Sequence, residues 1–119
     1  MSVKIYQYGK CSTCRKALRF LKDQGVDFQA IDITERPPTK DELKKMLRLQ
    51  DGDIKKLFNT SGQQYRELNI KDKLPSFTES KAIDLLSKNG KLVKRPFLLC
   101  GNAGAVGYKQ EEWEELFGI

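Results

Sequence analysis

The first residues that carry a clear pattern are VKIYQY (3–8), rich in β-branched and aromatic side chains, which predicts a strand. After Gly9 the period changes. Cys14, Ala17, Leu18 and Leu21 recur at i, i+3, i+4 and i+7, one apolar helix face. Arg15, Arg19 and Lys22 line another face, and Gly25 is the expected stop. VDFQAI (26–31) then predicts a second strand. Strand, helix and strand in this short span form a βαβ unit, so the two strands are expected to be parallel.

The pattern is helical over the next half of the chain. Pro37 and Pro38 precede a T-x-x-E capping pattern at Thr39 and Glu42, with Leu43, Met46 and Leu47 on the apolar face and Gly52 at the end. Asp53 is expected to cap a short helix through Ile54, Leu57 and Phe58. SGQQYREL predicts another short helix. A stronger one starts at Thr78, buries Ala82, Ile83, Leu85 and Leu86, and stops at Asn89-Gly90. Residues 39–89 thus form a helical insertion without a strand. RPFLLC (95–100) returns to an apolar strand, GNAG is a turn, and AVGY (105–108) is expected to pair back as a hairpin. QEEWEELF closes the chain as a helix with Trp113, Leu116 and Phe117 on its apolar face. The expected architecture is an α/β domain spanning residues 1–119, with elements in the order β-α-β, helical insertion, β-β-α.

Composition narrows the setting. The 119 residues are 39 % hydrophobic and 32 % charged, an ordinary globular balance. No apolar run is long enough for a membrane span, and MSVKIYQYGK lacks the apolar core of a secretory signal. The expectation is a cytoplasmic protein whose thiols stay reduced. The net charge of +6 is uneven: residues 1–25 are basic, whereas KQEEWEELFGI is acidic. A positive field around residue 11 attracts anions. No nucleic-acid-reading motif is present.

The candidate chemistry lies in YGKCSTCRKA (8–17). One C-x-x-C gives two ligands where a closed zinc site needs four; the chain has no histidine, and only Cys100 is left over. No metal or organic cofactor is therefore expected. A redox pair fits, because the motif follows a strand and opens a helix. There, unpaired backbone N–H groups and the positive end of the helix dipole favour a thiolate. Lys10, Arg15 and Lys16 add positive charge. Cys11, at the cap, gains most, with a pKa expected at about 5–7. Cys14 lies one turn in, on the apolar face, and is expected to remain a thiol. Cys11 then attacks and Cys14 resolves. The same first-turn amides, around Ser12 and Thr13, suit a tetrahedral oxyanion. Cys100 reads as a small core residue. Arg95-Pro96 stands at a strand start, where proline removes a backbone donor and can be cis.

These residues resemble the arsenate reductase (ArsC)/Spx family, of thioredoxin/glutaredoxin-like fold. The resemblance runs through YGKCSTCRKA, RPPTKDELKKML, LFNTSGQQYRELNI, KRPF and VGYKQEEWEELF, essentially the whole chain. It implies a mixed four-stranded sheet and a cis Pro96. It also implies a Cys11 nucleophile that forms a thiol–arsenate adduct, with glutathione and glutaredoxin, or thioredoxin, as the external thiol donor. Of the family's three oxyanion arginines only Arg95 carries over. Asn59 stands at the second position, Arg66 a few residues beyond it, and the third falls in GNAGAVGY, which has none. The implied reacting residues are Cys11, Cys14 and Arg95. Lys10, Ser12, Thr13, Arg15 and Pro96, with Asn59 and Arg66, are the candidate binding residues for an oxyanion or disulfide substrate. The Spx branch implies the alternative: a redox-switched regulator that binds the RNA polymerase α subunit, with Gly52 in its contact region.

Overall fold

The computed structural model describes residues 3–119. They form two compact units, residues up to 32 together with 95–119, and residues 33–94.

The first unit is a four-stranded mixed sheet. Its strands are β1 (Val3–Gln7), β2 (Gln29–Asp32), β3 (Phe97–Cys100) and β4 (Ala103–Val106), in the spatial order β2-β1-β3-β4. β1 pairs in parallel with β2, Lys4 opposite Gln29, and antiparallel with β3, Tyr6 opposite Phe97. β3 and β4 are antiparallel neighbours. Helices α1 (Ser12–Asp23) and α6 (Gln110–Leu116) complete the unit. Val3 and Ile5 of β1 and Leu98 and Cys100 of β3 pack with Ala17, Phe20 and Leu21 of α1 and with Trp113 of α6. The Trp113 indole N–H donates to the Gly107 carbonyl at 3.2 Å, so a large buried ring keeps its one polar group satisfied. Cys100 is buried in this core, as its apolar strand requires.

Two boundaries differ from the sequence expectation. β2 begins at Gln29 rather than at residue 26, because Val26 and Phe28 pack against the core from outside the ladder. Apolar alternation followed the packing, not the hydrogen bonds. The β3–β4 turn is only Gly101-Asn102, with Cys100 opposite Ala103, so β4 starts two residues before AVGY. Gly101 has φ +58° at the first central position, where a two-residue hairpin favours glycine.

The second unit is helical. It contains α2 (Lys40–Leu49), α3 (Gln63–Glu67), α4 (Ile70–Lys73) and α5 (Glu79–Lys88), with 3₁₀ turns at Ile54–Leu57, Leu74–Ser76 and Gly90–Leu92. The capping box at α2 is complete: the Glu42 N–H donates to Thr39 Oγ1 at 3.1 Å, and the Thr39 N–H donates to Glu42 Oε1 at 2.9 Å. Thr78 caps α5 through the Lys81 N–H. Asp53 makes no side-chain cap, and the element after it is 3₁₀, too short to demand one. α4 was not expected: IKDK carries too little apolar periodicity to announce a helix, and only Ile70 is buried. Leu85 is half-buried rather than inside. An isolated antiparallel bridge, Phe58 to Val93, ties the segment after the first 3₁₀ turn to the end of this unit.

Among the described residues no helix is long and apolar enough to cross a membrane.

Candidate functional site

Cys11 is the N-cap of α1, with extended backbone at φ −95° and ψ 116°. Its sulfur accepts the Cys14 backbone N–H at 3.4 Å, the bond a serine or aspartate oxygen makes at most helix starts. The Cys11 N–H in turn donates to the Tyr8 carbonyl at 3.0 Å, which closes the loop between β1 and α1. The helix ends as the sequence indicates. Gly25 has φ +68°, and the Val26 N–H reaches back to the Leu21 carbonyl at 3.0 Å.

The two cysteines have opposite environments. Cys11 is half-exposed, whereas Cys14 is fully buried. Partial burial alone would raise the Cys11 pKa. The Cys14 thiol and backbone N–H, and the charge and N–H groups of Arg95, outweigh it, and the thiol lies below its ordinary value. For Cys14, burial dominates and pushes the thiol up to about 12, helped by the Cys11 sulfur beside it. A hydrogen bond from the Tyr8 backbone N–H opposes this only in part. One thiol is thus poised to ionise and the other to stay protonated and donate a hydrogen bond to it.

The cations expected to activate Cys11 are not the ones that do. Lys10, Arg15 and Lys16 are exposed and do not contribute to the shift. Their side chains point into water, where charge is screened. The effective cation is Arg95, from the other end of the chain. It precedes the buried Pro96 through a cis peptide bond, as the family resemblance implied.

Strand register explains how Arg95 arrives. β1 and β3 run antiparallel with Tyr6 opposite Phe97. Tyr8 and Arg95 lie just beyond that end of the ladder. The Arg95 guanidinium carbon lies 4.8 Å from the centre of the Tyr8 ring, within cation–π range. Sequence reasoning passed over Tyr8, yet it meets Cys11, Cys14 and Arg95 in turn. Its only signal was an aromatic ring just after β1, and that signal needs the β1–β3 pairing to be read.

Arg95 has one further property. Its Nη1 is buried and has no hydrogen-bond partner among the described residues. Such a group costs free energy unless a ligand or water takes it. Ser12 is exposed and Thr13 half-buried in the first turn of α1, beside the cap. Asn59 and Arg66 belong to the helical unit. The Asn59 N–H donates to the Leu92 carbonyl at 2.7 Å, and its side chain occupies the space that a Cβ at Gly62 would need. Arg66 is exposed near the end of α3.

The ArsC family model matches residues 6–116. The chain is 45 % identical over 115 residues to the uncharacterized protein YusI of Bacillus subtilis (strain 168), covering 97 % of this chain and 98 % of that one. It is 30 % identical to the regulatory protein MgsR of the same organism over 91 % of this chain and 84 % of that one. The crystal structure of a possible arsenate reductase from Streptococcus mutans UA159 matches with a TM-score of 0.86 and 40 % identity, covering 94 % of this chain and 97 % of that one.

Proposed function

Since the chain belongs to the ArsC family of thiol-dependent proteins, we propose that it is an oxidoreductase in which the Cys11 thiolate attacks an oxyanion of the arsenate class. The observation that carries this reading is the pairing of a cap-position thiol of lowered pKa with an arginine that keeps a buried N–H unpartnered. A thiolate is the nucleophile, and a spare guanidinium N–H is what a tetrahedral oxyanion binds.

The steps follow from the unequal thiols. Cys11 Sγ bonds to the pentavalent centre and an oxygen leaves as water. Adduct formation removes the negative charge on Cys11, which adds to the larger effect of burial in raising the Cys14 pKa. Cys14 Sγ then attacks Cys11 Sγ and gives up its proton. The S–As bond breaks and its electron pair stays with arsenic. The products are trivalent arsenite and a Cys11–Cys14 disulfide: two electrons gained by the substrate, two lost by the thiols. An external thiol, either glutathione with glutaredoxin or thioredoxin, returns the pair to the reduced form. Arg95, the first-turn amides near Ser12 and Thr13, and the exposed Lys10 and Arg15 are the proposed anion-binding groups. Pro96 fixes the chain beside Arg95.

Arsenate reduction assayed in parallel with glutathione–glutaredoxin and with thioredoxin tests the proposal. Turnover with either donor, abolished in Cys11→Ser and sharply reduced in Arg95→Ala, is the expected result. Similarity to MgsR favours a second reading, a redox-switched regulator of the Spx kind. No turnover, together with RNA polymerase α subunit retained only by one redox state of the chain, would replace the first reading with the second.

A further inference from the structure

The proposed chemistry needs Arg95 held at Cys11, yet none of the residues already assigned to the site orients its guanidinium. Resting on the reading of Cys11 as an activated thiol, we propose that Tyr8 is a positioning residue: its ring fixes Arg95 so that the guanidinium edge serves both Cys11 and the bound anion.

Three observations converge on this role. The guanidinium lies 4.8 Å from the Tyr8 ring centre. A π face laid against the guanidinium removes water from that side and leaves the N–H edge to make hydrogen bonds. That edge includes the buried Nη1, which has no partner among the described residues. Second, the β1–β3 pairing brings the two segments together: Tyr6 and Phe97, opposite each other at the end of the ladder, pair their rings edge-to-face at 5.8 Å, and Tyr8 and Arg95 follow just beyond the strands. Third, the Tyr8 backbone is tied to the thiol loop, since its carbonyl accepts the Cys11 N–H at 3.0 Å. One residue therefore couples the loop that carries the nucleophile to the arginine that serves it. The Tyr8 backbone already bonds the Cys14 thiol; the role proposed for its ring is separate and is exerted through Arg95.

The groups that act on Cys11 are Cys14 from its own helix and Arg95 from the start of β3; the flanking Lys10 and Arg15 are exposed. This makes the prediction specific. Alkylation of the reduced full-length chain is followed across pH with neutral iodoacetamide and with anionic iodoacetate. The iodoacetamide midpoint reads the thiolate. The ratio of the two rates reads the cation beside it.

Tyr8→Leu is expected to raise the midpoint and lower the iodoacetate-to-iodoacetamide ratio by about 10-fold. Tyr8→Phe, which keeps the ring, is expected to match the parent. The double variant Tyr8→Leu/Arg95→Ala is expected to behave as Arg95→Ala alone, because both changes remove the same effect. An unchanged ratio in Tyr8→Leu, or a double variant much weaker than Arg95→Ala, overturns the positioning role and leaves the thiol reading intact. An unchanged midpoint and ratio in Arg95→Ala overturns both. Should Tyr8→Leu not fold, the NMR shifts of the Arg95 side-chain protons decide the matter. Upfield displacement by the Tyr8 ring current supports the role, and its absence in the parent protein refutes it.

Discussion

Thr39 and Arg95 show how differently the two units are built. Thr39 finds its partner Glu42 three residues away, inside the same helix turn. Arg95 meets Tyr8 and Cys11 only because β3 lies antiparallel to β1. The helical unit rests on local signals repeated along the chain: caps, short apolar faces, left-handed stops. The sheet unit brings together the two ends of the sequence, and its chemistry sits where they meet. Placing a reactive thiol at such a junction lets a distant arginine add its charge to the hydrogen bonds that Cys14 supplies from one turn away.

Substitutions break this contrast in a graded way. The largest loss is expected in the sheet unit. Trp113 is fully buried among Phe20, Tyr108 and the strand side chains. Trp113→Ala should cost about 3–5 kcal/mol in urea unfolding, since both transfer and cavity costs apply. A change below about 1 kcal/mol would show that this core is not centred on Trp113.

Gly90→Ala comes next, in the helical unit. A methyl group there runs into the Ile33 carbonyl oxygen, a backbone atom that cannot swing aside. The expected loss is about 1–3 kcal/mol. Gly52→Ala is a useful partner: its Cβ meets open space, and only the positive φ of +79° opposes it. Third is Thr39→Ala, which removes one half of a local capping box at a cost of about 1 kcal/mol, read from the shift in thermal midpoint.

The smallest effect belongs to a surface charge. The Asp84 carboxylate accepts from Lys40 at 3.0 Å and from Lys88 at 3.1 Å, and these partners hold its pKa below the usual value. Its contribution is present above the unfolded carboxylate pKa and is lost as pH falls through the depressed folded value. Asp84→Asn should therefore flatten the acid limb of stability against pH only slightly, and added salt should erase the difference.

The same contrast marks what the sequence discloses. Periodicity and capping chemistry located α1, α2 and α5 with their N-caps, because those signals are contained within one turn. They missed α4, where four residues carry one buried side chain. They placed β2 too early, because Val26 and Phe28 are apolar for packing and not for pairing. At the site, spacing alone distinguished Cys11 from Cys14, since a cap and a residue one turn inward have different surroundings. It assigned the activating charge to Lys10, Arg15 and Lys16, which are near in sequence but face water. Arg95 came from family resemblance, and Tyr8 from neither. Their partnership depends on strand order and register, and neighbouring residues do not encode these.

The inequality of the two thiols is the central claim, and one measurement addresses it directly. The reduced chain is alkylated with iodoacetamide across pH, and each cysteine is followed separately by mass spectrometry. Cys11 should be labelled with a midpoint below the ordinary thiol value of 9.0, while Cys14 stays protected until far more alkaline pH or unfolding. A Cys11 midpoint at 9.0 or above, or Cys14 labelled as fast as Cys11, would contradict the account.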